Sequence, residues 1–290
     1  MTELREAVRT ATAELAAAGV ASAPVDALVL AAHVLGVEVA QARRLLVLGG
    51  IDIPDAYAAL VTERARRIPL QHLTGEAHFR TLTLRVGPGV FVPRPETETL
   101  VSLALEAVDE ISADGAASVV DLCTGSGAIA LSLKAERPAL TVRAVEFDPL
   151  AHGWAAANRD RLGLDVEVAL GDARTAYAEL VGTVDVVTCN PPYIPDDQVP
   201  IDPEVRDYDP ALALYGGGSD GLAVPRALAD RAAVLLCPTG VLVMEHGDQQ
   251  GPVLLRALRA SGQWAHATDH PDLVGRSRVV VAVRFDAGTG

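Results

Sequence analysis

Metal-binding and disulfide-forming residues are scarce in this chain. Its three cysteines, Cys123, Cys189 and Cys237, are far apart and form no Cys-x-x-Cys pair. Such isolated cysteines predict reduced thiols and exclude a disulfide framework or a structural zinc site. We therefore expect a functional site that contains no metal.

Long apolar runs are lacking as well. No stretch reaches the roughly 18 uninterrupted apolar residues of a membrane span. The first six residues, Met1 to Glu6, lack the basic-then-apolar order of a signal peptide. We expect a cytoplasmic protein with no membrane partner, and a monomer.

Positive charge is also in short supply. The 290 residues include 24 Lys and Arg against 38 Asp and Glu, so the formal net charge is -14. Enzymes that act on nucleic acid normally present a basic face to the phosphates, so this balance disfavours DNA as a partner. Residues 1–72 hold eight acids and seven arginines, and the acidic excess falls on the remainder. The two parts are expected to meet different partners.

Three regions follow one another along the chain. Apolar residues at helical spacing predict four short helices within the first 70 residues, the last two over 40–48 and 54–68. Alternation over residues 79–92, interrupted by Gly87-Pro88-Gly89, predicts a β-hairpin. The expected domains are a helical bundle (1–75), a hairpin linker (76–95) and an α/β domain (96–290).

From Ser118 onwards, strand and helix patterns alternate. This alternation predicts an α/β fold with a doubly wound, mostly parallel sheet of seven strands. A loop alone separates the last two strands, so these two should pair antiparallel. The predicted strands are 118–122, 141–146, 166–170, 184–189, 240–245, 264–269 and 278–285, and the predicted helices include 127–136, 149–162, 222–236 and 248–261. This arrangement is typical of a nucleoside-cofactor methyltransferase.

A turn of small residues, Cys123-Thr124-Gly125-Ser126-Gly127, joins the first of these strands to a helix. Small residues let the backbone approach a ligand closely, and free N–H groups at a helix start favour an anionic group. Tight packing without a ligand and dinucleotide binding are alternatives for such a turn. The dinucleotide fingerprint G-x-G-x-x-G is not met, because Ala130 occupies its last position.

Acidic residues end the next two strands. Glu146 is placed where a carboxylate can accept both ribose hydroxyls of a nucleoside. Asp148, directly before Pro149, fits better as the N-cap of the following helix. Asp172 in Gly171-Asp172-Ala173 either meets an adenine amino group or belongs to a plain turn. The glycine-rich turn, Glu146, the Gly171-Asp172 turn and an Asn-Pro-Pro-Tyr segment come in order at the ends of successive strands. Because such strand ends converge, we expect these residues to line one crevice.

The fourth strand ends in Asn190-Pro191-Pro192-Tyr193. This segment combines a polar amide, rigid backbone carbonyls and an aromatic face. Asn190 Oδ1 and the Pro191 carbonyl could each accept one N–H of a planar amino group, and Tyr193 could lie against its face. The motif predicts a transferase that aims an amide or nucleobase nitrogen at an electrophilic carbon.

These residues resemble the HemK/PrmC family of N5-glutamine methyltransferases, which modify the Gly-Gly-Gln motif of peptide-chain release factors. The resemblance covers nearly the full length, and its most specific part is Phe91–Glu98. Further segments that carry it are Arg67–Glu76, Glu204–Arg206, Pro210–Leu214, Gly217–Leu222 and Gly275–Arg278. Asn-Pro-Pro-Tyr is also similar to the motif of DNA adenine-N6 methyltransferases, so methylation of adenine in nucleic acid is the alternative. A non-catalytic cofactor-binding module would have little reason to keep a complete amide clamp.

The resemblance implies a cofactor, S-adenosylmethionine, and a protein substrate, a release factor. The residues implied to bind the cofactor are Cys123, Thr124, Gly125, Ser126, Gly127, Glu146, Asp172, Ala173 and Asn190. Those implied to hold the substrate glutamine are Asn190, Pro191, Pro192 and Tyr193, and Asn190, Pro191 and Tyr193 are the catalytic candidates. Two residues depart from the family pattern: Cys123 replaces a usual Gly, and Ala173 replaces an aromatic residue of some members.

Three further features have open interpretations. Arg94 and Glu96 either form a charged pair that fastens the linker or wall the substrate site. His246 is interpreted as structural or substrate-lining, because no nucleophile motif is nearby. The arginines of the helical bundle form either a solvated face or a docking surface for an acidic partner; they are Arg43, Arg44, Arg64, Arg66 and Arg67.

Overall fold

The computed structural model describes residues 2–112 and 114–285. The predicted domains also include residues 1, 113 and 286–290, which lie outside the described part. The chain forms two compact units. The first contains the residues up to Glu76 together with Val86–Pro88 and Pro200–Tyr208, and the second contains Ala77–Arg85, Gly89–Val199 and the residues from Asp209 on.

The first unit is built mainly from helices that bury one apolar face each. In the first helix, Leu4, Val8, Ala11 and Leu15 recur at helical spacing and all are buried. The elements are β1 (Thr2–Glu3), α1 (Leu4–Ala17), α2 (Ala23–Leu35), α3 (Val39–Leu48), β2 (Asp52–Ile53), α4 (Ala56–Ala65) and α5 (Leu70–Thr74). β1 and β2 pair antiparallel.

Two details of this unit differ from the sequence-based prediction. The helix predicted over 54–68 ends at Ala65, and a separate α5 follows. Arg67 has a left-handed φ of 68°, which ends the helix before it, and Pro69 disfavours helical backbone at the residue that follows Arg67. The β1–β2 pair was not predicted, since two-residue strands carry no periodic signal.

Residues 200–208 join the first unit through Glu204. Its carboxylate binds Arg64 at 2.8 Å and Arg67 at 2.5 Å. Arg64 is itself buried and also binds Asp26 at 2.7 Å.

Within the described residues, no single helix is both long and apolar enough to cross a membrane. Helices α2 and α3 reach that length and apolarity only as a pair, and the pair is bent by 97°.

The hairpin lies earlier than the alternation predicted. Strands β3 (Glu76–Phe79) and β4 (Leu82–Arg85) pair around a turn at Arg80, whose φ is 50°. The turn of the hairpin is therefore not at Gly87-Pro88-Gly89, although Pro88 and Gly89 form a turn of their own that joins no pair of strands. Val86, Val90 and Val92 are buried outside any strand, on the two sides of that second turn. Buried residues at alternate positions have the period of a strand, which explains why the hairpin was predicted there.

The second unit contains the predicted doubly wound sheet. Its strands lie in the order β10-β11-β9-β8-β5-β6-β7; β10, β11 and β9 pair antiparallel, and the remaining pairs are parallel. Its elements from residue 98 on are α6 (Glu98–Ile111), β5 (Ser118–Leu122), α7 (Ala128–Glu136), β6 (Thr141–Glu146), α8 (Pro149–Leu162), β7 (Val166–Leu170), β8 (Val184–Cys189), α10 (Ala211–Leu214), α11 (Ala223–Leu235), β9 (Leu236–Glu245), α12 (Gly251–Ser261), β10 (Trp264–Pro271) and β11 (Ser277–Arg284), whereas α9 (Pro203–Tyr208) belongs to the first unit. The seven-stranded fold and its antiparallel finish are confirmed.

Apolar side chains cover both faces of this sheet. Val119 faces one cluster with residues of α6 and α7, whereas its neighbour Val120 faces the other with residues of α11 and α12. Strands buried on both faces read as continuous apolar runs. The parallel strands β5, β6, β7, β8 and β9 bring their carboxyl ends to one edge, where Glu146, Asn190 and Glu245 lie at or just after strand ends.

Candidate active site

The loop after β5 has the backbone that a close-fitting ligand site requires. Cys123, Gly125 and Gly127 have φ values of 65°, 57° and 85°. The Thr124 N–H donates to the Val145 carbonyl at 3.1 Å, which ties the loop to β6. The buried Thr124 hydroxyl donates to Asp121 Oδ2 at 2.6 Å. Helix α7 begins immediately after this loop, as predicted from the small residues.

Cys123 occupies a backbone conformation that favours glycine. A left-handed residue with a side chain costs about 1–2 kcal/mol relative to glycine. This explains why a Gly is usual at this position in the family that the chain resembles. The Cys123 side chain packs against the apolar cluster that contains Cys189. Burial is the main cause that raises the pKa of the Cys189 thiol, and the contact with Cys123 raises it further.

Asp121 stabilises the loop from below. Its carboxylate is fully buried and also accepts a hydrogen bond from the Thr188 hydroxyl at 2.8 Å. Burial raises the pKa of Asp121 to about 7, the two threonine hydroxyls lower it, and the nearby charge of Glu146 raises it further. The carboxylate is therefore a structural acceptor at the centre of the strand ends.

Glu146 connects the loop to the end of β6. Its Oε2 accepts the Gly125 N–H at 2.8 Å, and its Oε1 accepts the N–H groups of Phe147 and Asp148 at 2.9 Å each. Burial raises the pKa of this carboxyl, and the three backbone donors lower it. Asp148 caps α8 through Leu150 N at 2.7 Å and Ala151 N at 3.1 Å, so its interpretation as an N-cap is confirmed.

The third strand end is more exposed than the other two. The Asp172 carboxylate binds Arg174 at 2.7 Å, and this hydrogen bond is the main cause of its lowered pKa. Ala173 is buried within the apolar cluster next to Val145. The Asp172 carboxylate therefore binds within its own turn, which agrees with the interpretation of this segment as a plain turn.

The loop and the strand ends fit a nucleoside cofactor. A Cβ built on Gly125 would meet no atom within 4 Å, so the space beside this backbone is open. The adjacent Glu146 carboxylate accepts hydrogen bonds when ionised, and the three backbone N–H groups leave about one of its four acceptor sites, on Oε2, for a ribose hydroxyl. Among residues 2–112 and 114–285, no group of three or more His, Cys, Asp or Glu side chains could hold a metal ion.

The Asn-Pro-Pro-Tyr segment begins directly after β8. Asn190 Nδ2 donates to the Thr97 hydroxyl at 3.3 Å. The Tyr193 hydroxyl donates to Glu245 Oε1 at 3.2 Å, and burial together with this acid raises the pKa of Tyr193. Both polar groups are thus held by partners from other elements. The hydrogen bond from Nδ2 leaves Asn190 Oδ1 as the acceptor that a ligand can use.

Close backbone packing fixes the same segment from the other side. A Cβ on Gly216 would come within 2.0 Å of Gly221 O and 2.6 Å of Pro192 O, and a Cβ on Gly221 would come within 2.1 Å of Tyr193 O. Gln250 Nε2 donates to the carbonyls of Tyr193 and Asp220 at 2.7 Å each. Two glycines and one amide therefore hold the Pro-Tyr backbone in place.

Arg94 does not pair with Glu96. Its guanidinium binds Asp209 at 2.5 Å and lies 4.9 Å from the centre of the Phe91 ring. Asp209 is buried and also accepts the Val92 N–H at 3.4 Å. The interpretation of Arg94 and Glu96 as a charged pair is thus wrong about Glu96, because the partner of Arg94 is Asp209. Arg94 does fasten the linker segment, as that interpretation expected. Glu96 acts at longer range, because its charge raises the pKa of both Glu245 and Tyr193.

His246 has a structural role. Its ring is fully buried, with Nδ1 2.8 Å from the Gly247 carbonyl and Nε2 3.1 Å from Asp269 Oδ1. Both ring nitrogens are thereby used within the protein. This arrangement agrees with the interpretation that His246 is not a general base.

Sequence reasoning missed Thr97, Asp209, Glu245 and Gln250 as parts of this site. Thr97 and Asp209 lie inside or beside segments that carried the family resemblance, and Glu245 ends a predicted strand. The strand-end position of Glu245 was a usable signal, since the carboxyl ends of parallel strands line one crevice. Gln250 gave no signal, because its contacts are to backbone groups 57 and 30 residues away.

Comparison with known proteins agrees with this geometry. Two family models match the chain, the PrmC N-terminal domain over residues 6–75 and the methyltransferase small domain over residues 82–202. A release factor glutamine methyltransferase of Mycolicibacterium smegmatis is 48% identical over 98% of this chain and 99% of its own. A 4-amino-L-phenylalanine/4-methylamino-L-phenylalanine methyltransferase of Streptomyces pristinaespiralis is 39% identical over 92% and 91%. The solved hMettl16 catalytic domain shares the fold, with a TM-score of 0.55 and 14% identity over 82% of this chain and 84% of its own.

Proposed function

The chain belongs to the release factor glutamine methyltransferase family, and on this premise we propose that it methylates the glutamine of the Gly-Gly-Gln motif in a peptide-chain release factor. The methyl group passes from S-adenosylmethionine to the side-chain amide nitrogen, N5. The observation that carries the proposal is the fixed Asn190 amide, which is bonded to Thr97 through Nδ2 and therefore offers Oδ1 to a ligand.

A substrate carboxamide has two N–H groups that must be held for transfer to its nitrogen. Asn190 Oδ1 accepts one, and the Pro191 carbonyl accepts the other. Tyr193 lies against the flat face of the amide. Because the backbone of Pro192 and Tyr193 packs on Gly216 and Gly221, the acceptors are preorganised. Alignment of this kind contributes roughly 7–11 kcal/mol to lowering a transfer barrier.

The residues that would hold the cofactor are Cys123 to Gly127, Glu146, the Asp172-Ala173 turn and Asn190. In this structure the three backbone donors fill all but about one of the four acceptor sites of Glu146, so its carboxylate would accept one of the two ribose hydroxyls, through Oε2. When bound, S-adenosylmethionine supplies a methyl group already activated by the positive sulfonium. The protein therefore needs no metal and no strong base, and the nitrogen loses its proton to water. What the side chains contribute is orientation and hydrogen bonds that strengthen as charge develops.

The experiment that tests this function uses labelled S-adenosylmethionine, a purified release factor and the Asn190→Ala variant. We expect the wild-type protein to label the factor on its Gly-Gly-Gln glutamine. In the variant kcat should fall on the order of 100-fold or more, whereas the Kd of the cofactor should change less. Gln198→Ala, which alters an exposed amide in the same segment, is the matched control. Normal turnover by Asn190→Ala would refute the assigned role.

A free aromatic amine is a second candidate substrate. The relative named for 4-amino-L-phenylalanine is 39% identical to this chain over 92% of its length. An aryl amine is planar and presents two N–H groups, so the same acceptors suit it. Parallel assays with 4-amino-L-phenylalanine and with duplex DNA separate the possibilities, since a kcat/KM higher for either than for the release factor would displace the glutamine assignment.

We further propose three domains, with residues 1–75 as a docking domain, 76–95 as a linker and 96–290 as the catalytic domain. Helix α3 carries the candidate docking patch. Arg43 and Arg44 are exposed there, and Val47 and Leu48 are 76% and 68% exposed. Exposed apolar side chains beside two arginines suit an amphipathic, acidic protein surface.

The docking patch is tested by comparing a whole substrate with a fragment. Reversing both charges, Arg43→Glu with Arg44→Glu, should raise KM for the intact release factor roughly tenfold, because rim charges act mainly on association. Methylation of a short Gly-Gly-Gln peptide should not change. Arg9→Glu on α1 is the control, since Arg9 is also exposed. An equal loss on peptide and factor would rule out docking at α3.

A further inference from the structure

The turn between β10 and β11, residues 272–276, exposes two large apolar side chains; we call it the hairpin tip. Leu273 is 89% exposed and Val274 is 74% exposed. The Arg276 side chain in the same turn is exposed as well. Adjacent apolar side chains that face solvent beside a cation favour contact with another molecule.

Internal hydrogen bonds fix the shape of the hairpin tip. The buried Asp272 carboxylate accepts the N–H groups of Val274 at 3.0 Å and Arg276 at 2.9 Å. The Asp272 N–H donates to the Arg276 carbonyl at 2.8 Å, and the Gly275 N–H donates to the Asp272 carbonyl at 2.9 Å. Because the backbone is already ordered, contact through the apolar side chains costs little entropy.

The hairpin tip lies at the same edge of the sheet as the Asn-Pro-Pro-Tyr segment. Cys189, which directly precedes Asn190, pairs with Met244 on β9. The next residue of β9, Glu245, pairs with Val279 on β11. Since β11 runs antiparallel to β9, the residues before Val279 continue beyond this edge and lead into the tip. Two strand spacings, about 10 Å, separate β8 from β11.

Contacts with the loop after β9 tie the base of the hairpin to that segment. The Asp269 carboxylate on β10 lies 3.1 Å from the His246 ring and accepts from the Ser277 hydroxyl at 2.5 Å. Gln250, in the same loop as His246, donates to the Tyr193 carbonyl at 2.7 Å. The hairpin tip is therefore mounted at a set distance from the residues proposed to hold the substrate amide.

We propose that the hairpin tip docks on the substrate protein beside its methylated loop, through an apolar surface that carries an acidic group. The inference rests on the proposed function, because a glutamine within a protein brings its neighbouring residues to this edge. An extended chain advances about 3.3 Å per residue, so residues at least about three positions from the glutamine reach the tip. Arg276 is a cation on a chain with a net charge of -14, so it marks a place where an acidic group is favoured.

The kinetic test replaces both apolar side chains, Leu273→Ser with Val274→Ser. KM for the intact release factor should rise roughly tenfold or more, because two side chains lose their apolar contact. The kcat should change less than about twofold, since neither side chain touches the reacting groups. A capped Gly-Gly-Gln tripeptide is too short to reach the tip, so its kcat/KM should not change.

Val181→Ser with Val234→Ser is the matched control. Val181 and Val234 are 53% and 41% exposed, and they are neighbours because the Gly182 N–H donates to the Val234 carbonyl at 3.0 Å. They precede β8 and β9 and therefore lie at the opposite edge of the sheet. This control should keep the wild-type KM for the release factor. An equal rise in KM in the control would overturn a specific role of the tip.

The charge of the partner surface is tested by Arg276→Glu. KM for the intact factor should rise at low salt, and the rise should shrink at high salt because ions screen exposed charges. The rise caused by the serine pair should persist at high salt. A lower KM in Arg276→Glu would show that the tip meets a basic surface, which would overturn the proposed partner chemistry.

Equilibrium binding keeps this inference separate from the proposed function. With S-adenosylhomocysteine present, the Kd of the release factor should weaken in the serine pair as KM does. Unchanged KM and Kd for a factor that the wild type methylates would overturn the docking alone. A wild type that does not label the factor would refute the proposed function and, with it, the docking. A dimer in sedimentation that dissociates in the serine pair would assign the tip to a second copy of this chain instead.

Discussion

Replacing Glu146 by Gln tests how the cofactor loop is held. The carboxylate accepts three backbone N–H groups, from Gly125 at 2.8 Å and from Phe147 and Asp148 at 2.9 Å each. A carboxamide has one acceptor oxygen, which can keep the two hydrogen bonds that Oε1 accepts from Phe147 and Asp148. Its NH2 group would then face the Gly125 N–H, and two donors cannot satisfy each other.

The size of the effect follows from that one lost acceptor. A buried donor left without a partner costs about 1–3 kcal/mol, which corresponds to roughly 5- to 150-fold in affinity if the loop must rearrange to bind. Removing a charge whose burial is unfavourable offsets part of the loss of folding stability, because burial raises the pKa of Glu146. We therefore expect the loss to appear in cofactor binding more than in the unfolding temperature.

Isothermal titration calorimetry with S-adenosylhomocysteine measures this loss directly. The Kd of Glu146→Gln should be weaker by roughly 10- to 100-fold, since a ribose hydroxyl also loses a charged acceptor. Glu167→Gln on β7 is the control, because Glu167 is an exposed acid that pairs with Arg143 at 3.0 Å. A change below about threefold in Glu146→Gln would show that the carboxylate does not determine the loop or the ribose site.

Two further predictions concern stability. Gly216→Ala should lower the free energy of unfolding by at least about 1–3 kcal/mol and reduce kcat, because its Cβ would meet backbone atoms at 2.0 and 2.6 Å. Gly153→Ala lies in helix α8, where a Cβ would meet no atom within 4 Å, and should raise the free energy of unfolding by about 0.5–1 kcal/mol. Urea unfolding measures both variants, and equal changes in the free energy of unfolding would contradict the packing argument. Asp121 and Glu245 both have pKa values of about 7, above their unfolded values. The stability contributed by their neutral forms is therefore complete below about pH 4 and is lost as pH rises through about 7. Calorimetry should show that the free energy of unfolding falls less between about pH 4 and 8 in Asp121→Asn than in the wild type.

The sheet could be predicted from the sequence because each buried strand is a continuous apolar run. Val184–Cys189 is such a run, and polar residues follow directly where it leaves the core. The antiparallel finish followed from a connection too short for a crossover helix. Elements without a periodic signal were not found, as with α10, whose four residues follow a proline. Local patterns therefore determined the strands and the ends at which functional side chains lie.

The support of the site could not be predicted, because it depends on contacts between distant segments. Asp209 meets Arg94 across 115 residues, and Glu245 meets Tyr193 across 52. Glu96 was the nearest acid to Arg94 in sequence, yet a buried carboxylate elsewhere is the partner. The close approach at Gly216 is likewise visible only in three dimensions, since its neighbours there are backbone atoms of Pro192 and Gly221. Tertiary packing decided these partners.

Buried acids at the strand ends give the site its electrostatic character. Asp121, Glu146 and Glu245 lie at or next to the carboxyl ends of β5, β6 and β9, and all three have raised pKa values because they are buried. Glu146 also raises the pKa of Asp121, so these two acids repel each other when ionised. Such a cluster favours a positive charge on the ligand, since a nearby cation relieves the repulsion. Methyl transfer would remove that charge from a bound cofactor, so carboxylates that favour the sulfonium would hold the neutral product less strongly.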